Sequence, residues 1–471
     1  MTHHCFGSGK VFSGHFSASN AWNVNLNNGN VNNNNKTNSN RVRPCACVPA
    51  GASAITETVY DIPFSSVIHA WRDCESNKRR SDSCTKFRWG APIALVELWN
   101  EMRTRTYKPR ASMCFMVTYP VLREVWAGAF RDRIAHHWEN LRFGPVIERY
   151  FVSVGDRSMN CRKGYGSLKA IKLLTKAIYD YTEGYTRDDC WIVGGDFANF
   201  FMSIDKEILW QNLLDLMLDE YEGKDKAALL YMMHETLFHR CQDNYFLRSP
   251  KEMWENLPPR KSLFHMNGLP IGNLPSQIWA NFTGAIFTCW ALFVKRVEGF
   301  ILFVDDWRCL ARSADEGKAL ISEFRQWLWE NLHVTLHPDK VYLQHYTKGT
   351  KITGAVIKPG RTYIANRTRG HFIETMIAFN RQGTTHAKRV AMLEHVRASI
   401  NSYLGMMVHH RTYRVRSRIC KEYILPTWGK YLYFTDEFTK CKLRKEYDTT
   451  YVLRKKLHNR KFAAKFIRPK W

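Results

Sequence analysis

Acidic residues are scarce in this chain. Only 43 Asp and Glu stand against 69 Lys and Arg, a formal net charge of +26 over 471 residues. That balance favours a polyanionic partner, nucleic acid before others. Uninterrupted apolar stretches are also scarce. The most apolar, Ile278 to Val294, is broken by Asn281 and diluted with Thr, Gly and Ala. It reads as a buried helix, and no membrane partner is expected. No signal-peptide pattern opens the chain at Met1-Thr2-His3-His4-Cys5. Zinc-type cysteine spacing is missing: Cys45-x-Cys47 has no matching second pair, and the thirteen cysteines are scattered and odd in number. Reduced thiols and a cytoplasmic location are the expectation.

What is present is enough apolar material for a large core, 45% of a chain too long for one typical domain. Residues 1–50 differ from the rest. Ser19 to Lys36 is dominated by asparagine, which competes with regular backbone hydrogen bonding, so a disordered polar tail is expected. Pro92 to Met102 reads as a helix with proline in its first turn. Met113 to Tyr119 and Trp191 to Phe197 read as strands. Val125 to Leu141, Gly166 to Tyr181 and Ala314 to Leu332 read as helices. Two or three more helices are expected over 201–260. Lys351 to Ile364 reads as strand-turn-strand about Pro359-Gly360, and the chain beyond 370 as helical. Thr439 to Trp471 carries twelve Lys and Arg against two acids, a candidate phosphate-contacting tail.

One pair of acids stands out inside an apolar run, Phe300-Ile301-Leu302-Phe303-Val304-Asp305-Asp306-Trp307. Adjacent carboxylates repel, and an apolar setting raises the cost. A bound cation removes it. A third acid lies upstream in Gly194-Gly195-Asp196-Phe197-Ala198-Asn199-Phe200-Phe201. One aspartate on one strand-like segment and two on another suggest a two-metal site for phosphoryl transfer.

The order of segments carries more than any one of them. Asp196 is followed by Gly268-Leu269-Pro270-Ile271-Gly272-Asn273-Leu274-Pro275-Ser276-Gln277. Phe303-Val304-Asp305-Asp306 comes next, then Leu336-His337-Pro338-Asp339-Lys340, then Ile352 to Pro359. This succession resembles the palm of a reverse transcriptase. Upstream, Arg123-Glu124, Ala129 to His137 and Cys161 to Ser167 resemble the fingers of the same enzymes. Ile271-Gly272, where most relatives carry Gln-Gly, resembles the reverse transcriptases of diversity-generating retroelements, as does the helical segment Ala398 to Gly405. The alternative is a defence-associated or group II intron-like bacterial reverse transcriptase. No zinc-nuclease cluster follows residue 430, which speaks against the intron class.

The resemblance implies an α+β right-hand polymerase. Fingers would span 51–190, a palm on an antiparallel sheet 191–365, a helical thumb 366–438 and a basic tail 439–471. It implies an RNA-directed DNA polymerase that copies a template repeat into cDNA and misincorporates opposite adenine. The asparagine-rich start then reads as a translated template repeat or a lectin-like remnant. Implied partners are template RNA, the primer or cDNA strand, dNTPs and an accessory protein, a small helical-bundle oligomer. Two Mg²⁺, with Mn²⁺ as substitute, would be held by Asp196, Asp305, Asp306 and the carbonyl of Phe197. Lys340 would protonate the pyrophosphate leaving group. Arg123 would contact the triphosphate, with Val121 where a lysine is usual. Phe201 would lie beneath the sugar, and Gln277 belongs to the nucleotide-binding block. Gly272 would let the backbone approach the template, and Ile271 would pack on the templating pair. Arg162 and Lys163 are candidate nucleic-acid contacts. Phe303 stands in place of the usual Tyr. Asp205 reads as a helix N-cap.

Overall fold

The computed structural model describes residues 59–76, 78–79, 81–118 and 121–448, with the backbone of 20–25 and 30–35. β1 (Asn20–Asn25) and β2 (Asn30–Asn35) pair as an antiparallel hairpin, Val24 opposite Val31. The expected disordered tail gives way there to a backbone ladder. The rest of the asparagine-rich start, and 449–471 of the basic tail, lie outside the described residues.

Three helices follow: α1 (Phe64–Glu75), α2 (Asp82–Trp89) and α3 (Ala91–Arg103), the last with its expected first-turn proline. β3 (Ser112–Val117) and β4 (Arg123–Ala127) pair antiparallel before α4 (Phe130–Ser153). The sequence reading of one helix from Val125 to Leu141 is corrected here. Its first residues are a strand, because Val125 and Ala127 pair with Phe115 and Met113. After α5 (Ser167–Tyr181) come β5 (Trp191–Asp196), α6 (Phe200–Ser203), α7 (Lys206–Glu220) and α8 (Lys226–Phe238). β6 (Tyr245–Leu247), α9 (Glu252–Glu255) and α10 (Leu274–Cys289) lead to the hairpin β7 (Glu298–Phe303) and β8 (Asp306–Ala311). α11 (Ala314–Leu332) and β9 (Tyr342–His345) precede β10 (Thr350–Ile352), β11 (Ala355–Lys358) and β12 (Arg361–Ile364). The chain closes on α12 (Asn366–Gln382), α13 (His386–Met407), α14 (Tyr413–Ile419), α15 (Leu425–Trp428), β13 (Leu432–Phe434) and β14 (Cys441–Leu443). β14 takes the first residues of the expected tail into an antiparallel pair with β13.

The fold is mixed α and β, and the chain divides into two units. One holds 1–166 and 191–343, the other 167–190 and 344–471. In the first, a sheet of order β7-β8-β5-β9 carries the acids, and a smaller sheet of order β4-β3-β6 stands apart from it. The core under the main sheet is aromatic. Phe287 of α10 meets Phe300 at 5.4 Å, Trp307 at 6.2 Å and Phe324 at 5.0 Å between ring centroids. Burying each such ring stabilises by roughly 2–3 kcal/mol relative to exposure. Leu274–Val294 is long and apolar enough to cross a bilayer, but 61% of its apolar window is buried inside the protein. Trp279, Phe282 and Phe287 are covered, as expected of a core helix.

In the second unit, β10, β11 and β12 form an antiparallel sheet with Pro359-Gly360 at the expected turn, Lys358 opposite Arg361. A separate core gathers Phe372, Ile400, Leu404 and Trp428 from the helices that follow.

Candidate active site

β5 and β8 are antiparallel, and their register sets Asp196 directly opposite Asp306. Cross-strand partners share a face with Cβ atoms about 5 Å apart. The two glycines before Asp196 have a packing reason. A Cβ on Gly195 would stand 2.5 Å from the Trp307 ring, and one on Gly194 would stand 2.5 Å from that of Tyr342.

Asp305 lies in the two-residue turn between β7 and β8, since Phe303 pairs with Asp306. Its turn partner Val304 has φ of +61°. A hairpin of that length wants Gly at such a position. A β-branched residue there is strained by about 1–2 kcal/mol. The backbone N–H of Phe197 donates to the Asp305 carbonyl at 3.0 Å, and that of His337 donates to the Asp196 carbonyl at 2.8 Å. Three chain segments are thereby stitched together at the acids.

Burial, reinforced by the Asp196 and then the Asp306 carboxylate, pushes the Asp305 carboxyl up to about 6. Burial also raises Asp306, while Arg308 opposes the rise. Two cations already sit among the acids. Lys340, in a 3₁₀ turn over Pro338–Lys340, places Nζ 3.0 Å from Asp196 Oδ2. Arg308 pairs with Asp306 and lies over the Tyr342 ring at 4.7 Å. Arg308 was absent from the sequence reading, though two residues along one strand share a face and the spacing to Asp306 could have found it. Among the described residues, no three His, Cys, Asp or Glu side chains converge on one ion position. The donor chemistry nonetheless suits Mg²⁺: hard oxygens, mutually repelling and half-buried, with few needed because Mg²⁺ keeps waters.

The flanking residues divide into exposed and structural. Phe200 is buried against Phe197, at 4.9 Å, while Phe201 is only partly covered. Phe197 itself fills the core. Asp205 caps α7, accepting from the N–H groups of Glu207 and Ile208 at 2.9 and 3.2 Å. Arg123 opens β4 and is exposed, as are Lys163 and Gln277.

Arg162, read from the sequence as a candidate nucleic-acid contact, is engaged within the chain. Its guanidinium is buried between Glu148 (2.9 Å) and Asp156 (2.8 Å) and lies 3.7 Å over the Tyr165 ring. Three partners of opposite charge or π density hold it as a structural joint. Gly272 has a packing reason within the chain. It has φ of +123°, and a Cβ would meet the Trp126 carbonyl at 2.5 Å. The backbone there approaches β4 of the same chain, where Trp126 N–H donates to the Ile271 carbonyl at 2.7 Å. Ile271 is half-buried on a satellite core of Cys114, Trp126, Met202, Cys241 and Leu263.

A further carboxylate, Glu124, entered the sequence reading only as part of the fingers-like block, with no role of its own. Glu124 is fully buried and accepts from Trp126 Nε1 (2.6 Å), Leu263 N (2.9 Å), Trp254 Nε1 (2.9 Å) and Ser262 Oγ (2.6 Å). Four donors compensate the loss of water. They tie β4 to the segment that leads into Ile271-Gly272.

No protein-family model matches this chain, and no curated protein matches it. Solved structures do. A telomerase from Candida albicans, in complex with a fragment of telomeric RNA, is 14% identical with a TM-score of 0.37, over 67% of this chain and 56% of that one. An apo telomerase from Candida tropicalis is 9% identical with a TM-score of 0.41, over 68% and 60%. A form of it truncated from its C-terminal domain is 8% identical with a TM-score of 0.40, over 54% and 55%. The chain thus spans less than two thirds of each.

Proposed function

We propose that this chain is an RNA-directed DNA polymerase with a right-hand arrangement of fingers, palm and thumb. The observation that supports it most is the register of Asp196 against Asp306, with Asp305 in the adjoining turn and Lys340 on Asp196. Asp196, Asp305, Asp306 and the Phe197 carbonyl would hold Mg²⁺. Bound Mg²⁺ supplies Lewis-acid stabilisation of the transferring phosphoryl group.

The chain's own groups do the rest. Lys340 holds a proton beside the acids and would deliver it to the departing pyrophosphate. Arg123, exposed at the start of β4, would bind triphosphate oxygens through its planar donors. Phe201 would lie under the incoming sugar and exclude a 2′-hydroxyl. Ile271 would bear on the templating pair without a hydrogen bond to fix it. That last feature favours the diversity-generating retroelement reading, with misincorporation opposite adenine and an accessory helical-bundle partner.

The test is primer extension on an RNA template with dNTPs and Mg²⁺. Extension by the parent chain, lost in Asp305→Asn while RNA binding persists, is the expected result. RNA binding without any extension by the parent would replace the enzyme with an RNA-binding scaffold. Extension with an even error spectrum at all template bases would favour the defence-associated reading over adenine mutagenesis.

A further inference from the structure

The second unit contains a cavity of about 440 Å³ that the polymerase reading does not use. It is lined by Lys172, Lys176, Tyr179, Tyr185, His409 and His410, with Thr175, Thr362 and apolar residues of α5 as floor. Its construction follows from α5. Ala170, Ile171, Leu174 and Ile178 are buried, which turns Lys172 and Lys176 outward one helical turn apart. Tyr179 is 51% exposed and meets Tyr185 edge-on at 5.2 Å. Tyr185 continues in a near-parallel stack to Tyr346, 6.4 Å away. His410 is fastened to β12 by its Nδ1 contact with Thr362 Oγ1 at 3.0 Å.

The charge is of one sign where it is free. Nearby acids are already engaged: Asp180 by Lys176, Glu183 and Asp189 by Arg187, Asp188 by His345. Lys172 has no ion-pair partner among the described residues and is exposed. The exposed Tyr179 ring and the half-buried Tyr185 ring, beside the free Lys172 ammonium and the Lys176 ammonium shared with Asp180, match a base and its phosphate. Rings stack on any base, while lysine offers a point charge to phosphate oxygens. The volume suits a single nucleotide, within the range of small-molecule pockets. An acidic peptide would use the lysines and leave the rings idle.

We propose that this cavity binds a nucleoside phosphate, its base against Tyr179 and Tyr185 and its phosphate at Lys172 and Lys176. The same chemistry is offered by a free nucleotide and by one residue of a single-stranded nucleic acid.

The experiment uses the full chain and a fluorescein-labelled 12-nucleotide single-stranded RNA in anisotropy titrations, with ATP as competitor and direct ligand. Variants are Lys172→Glu and Tyr179→Ala, both at exposed positions, with Lys251→Glu as a charge-matched control on the other unit. Each pocket variant should weaken binding of RNA, of ATP or of both at least fivefold. Lys251→Glu should change it less than twofold. Loss for RNA alone identifies a strand; loss for ATP as well identifies the free nucleotide. Lys172→Glu should also lower the salt slope for RNA by about one. Unchanged affinity for both ligands in both pocket variants overturns the proposal. So does an equal loss in Lys251→Glu, which would mean a general field rather than a site.

Discussion

Lys340 and Asp196 are 144 positions apart in the chain and 3.0 Å apart in space. The ammonium sits on one of the three acids, beside Asp305, whose proton affinity is raised. That position suits both neutralising the acids at rest and supplying a proton during turnover. Lys340→Ala is expected to slow single-nucleotide addition by about 10²–10⁴-fold, the usual range for a lost general acid. Lys340→Arg should restore ion pairing but not proton delivery. A single-turnover rate within twofold of the parent in Lys340→Ala would remove Lys340 from the chemistry.

Glu124 predicts a stability effect away from the acids. Glu124→Gln keeps shape but turns one acceptor oxygen into a donor facing N–H or O–H groups. The expected loss is about 3 kcal/mol, from broken charge-assisted bonds and buried unpaired donors. Urea denaturation measures it. A loss below about 0.5 kcal/mol would mean that the four donors find other partners.

Ile271 and Gly272 are neighbours with opposite tolerance. Gly272→Ala forces a side chain onto the Trp126 carbonyl at a φ that disfavours it, at an expected cost of about 2 kcal/mol or more. Ile271→Gln, at a half-buried position, should fold and should reduce misincorporation opposite template adenine. Sequencing of primer-extension products reads the second effect, and an unchanged error spectrum would count against the role given to Ile271.

Asp215 on α7 predicts a pH dependence. Burial, aided by Asp219, raises its carboxyl from 3.8 to about 6, against the opposing bond from Gln211. The unfolded chain therefore releases this proton at lower pH than the folded one. Stability from this residue is intact below about 3.8 and declines as pH rises through about 6. Asp215→Asn should be more stable than the parent at neutral pH and similar to it in acid. Denaturation midpoints across that range test it, and a constant difference at every pH would show that the ionisation is irrelevant.

Much of the fold was legible because local chemistry and final structure agree. α11 occupies Ala314–Leu332 as read, Asp205 caps α7, and the Pro359-Gly360 turn joins β11 to β12. Each depends on periodicity, a cap or a turn residue, all encoded within a few positions. The three aspartates stood out for a similar reason: repelling acids in apolar runs are anomalous wherever they occur. What they do together could not be read locally. The register of β5 on β8 and the reach of Lys340 to Asp196 belong to long-range pairing.

The same distinction explains the differences from the sequence reading. Arg162 looked like a basic loop residue because lone sequence context cannot show Glu148, Asp156 and Tyr165 closing on it. Val125 to Ala127 looked helical because β3, which claims them as a strand, lies in a separate segment. By itself, the sequence determined the segment order, the positions of the acids and most helices, since those depend on neighbours along the chain. Only the tertiary structure decided which charges are free and which are spent. A side chain's partners are chosen by packing, which joins residues near in the chain, as Arg162 and Asp156, and residues 144 positions apart, as Lys340 and Asp196.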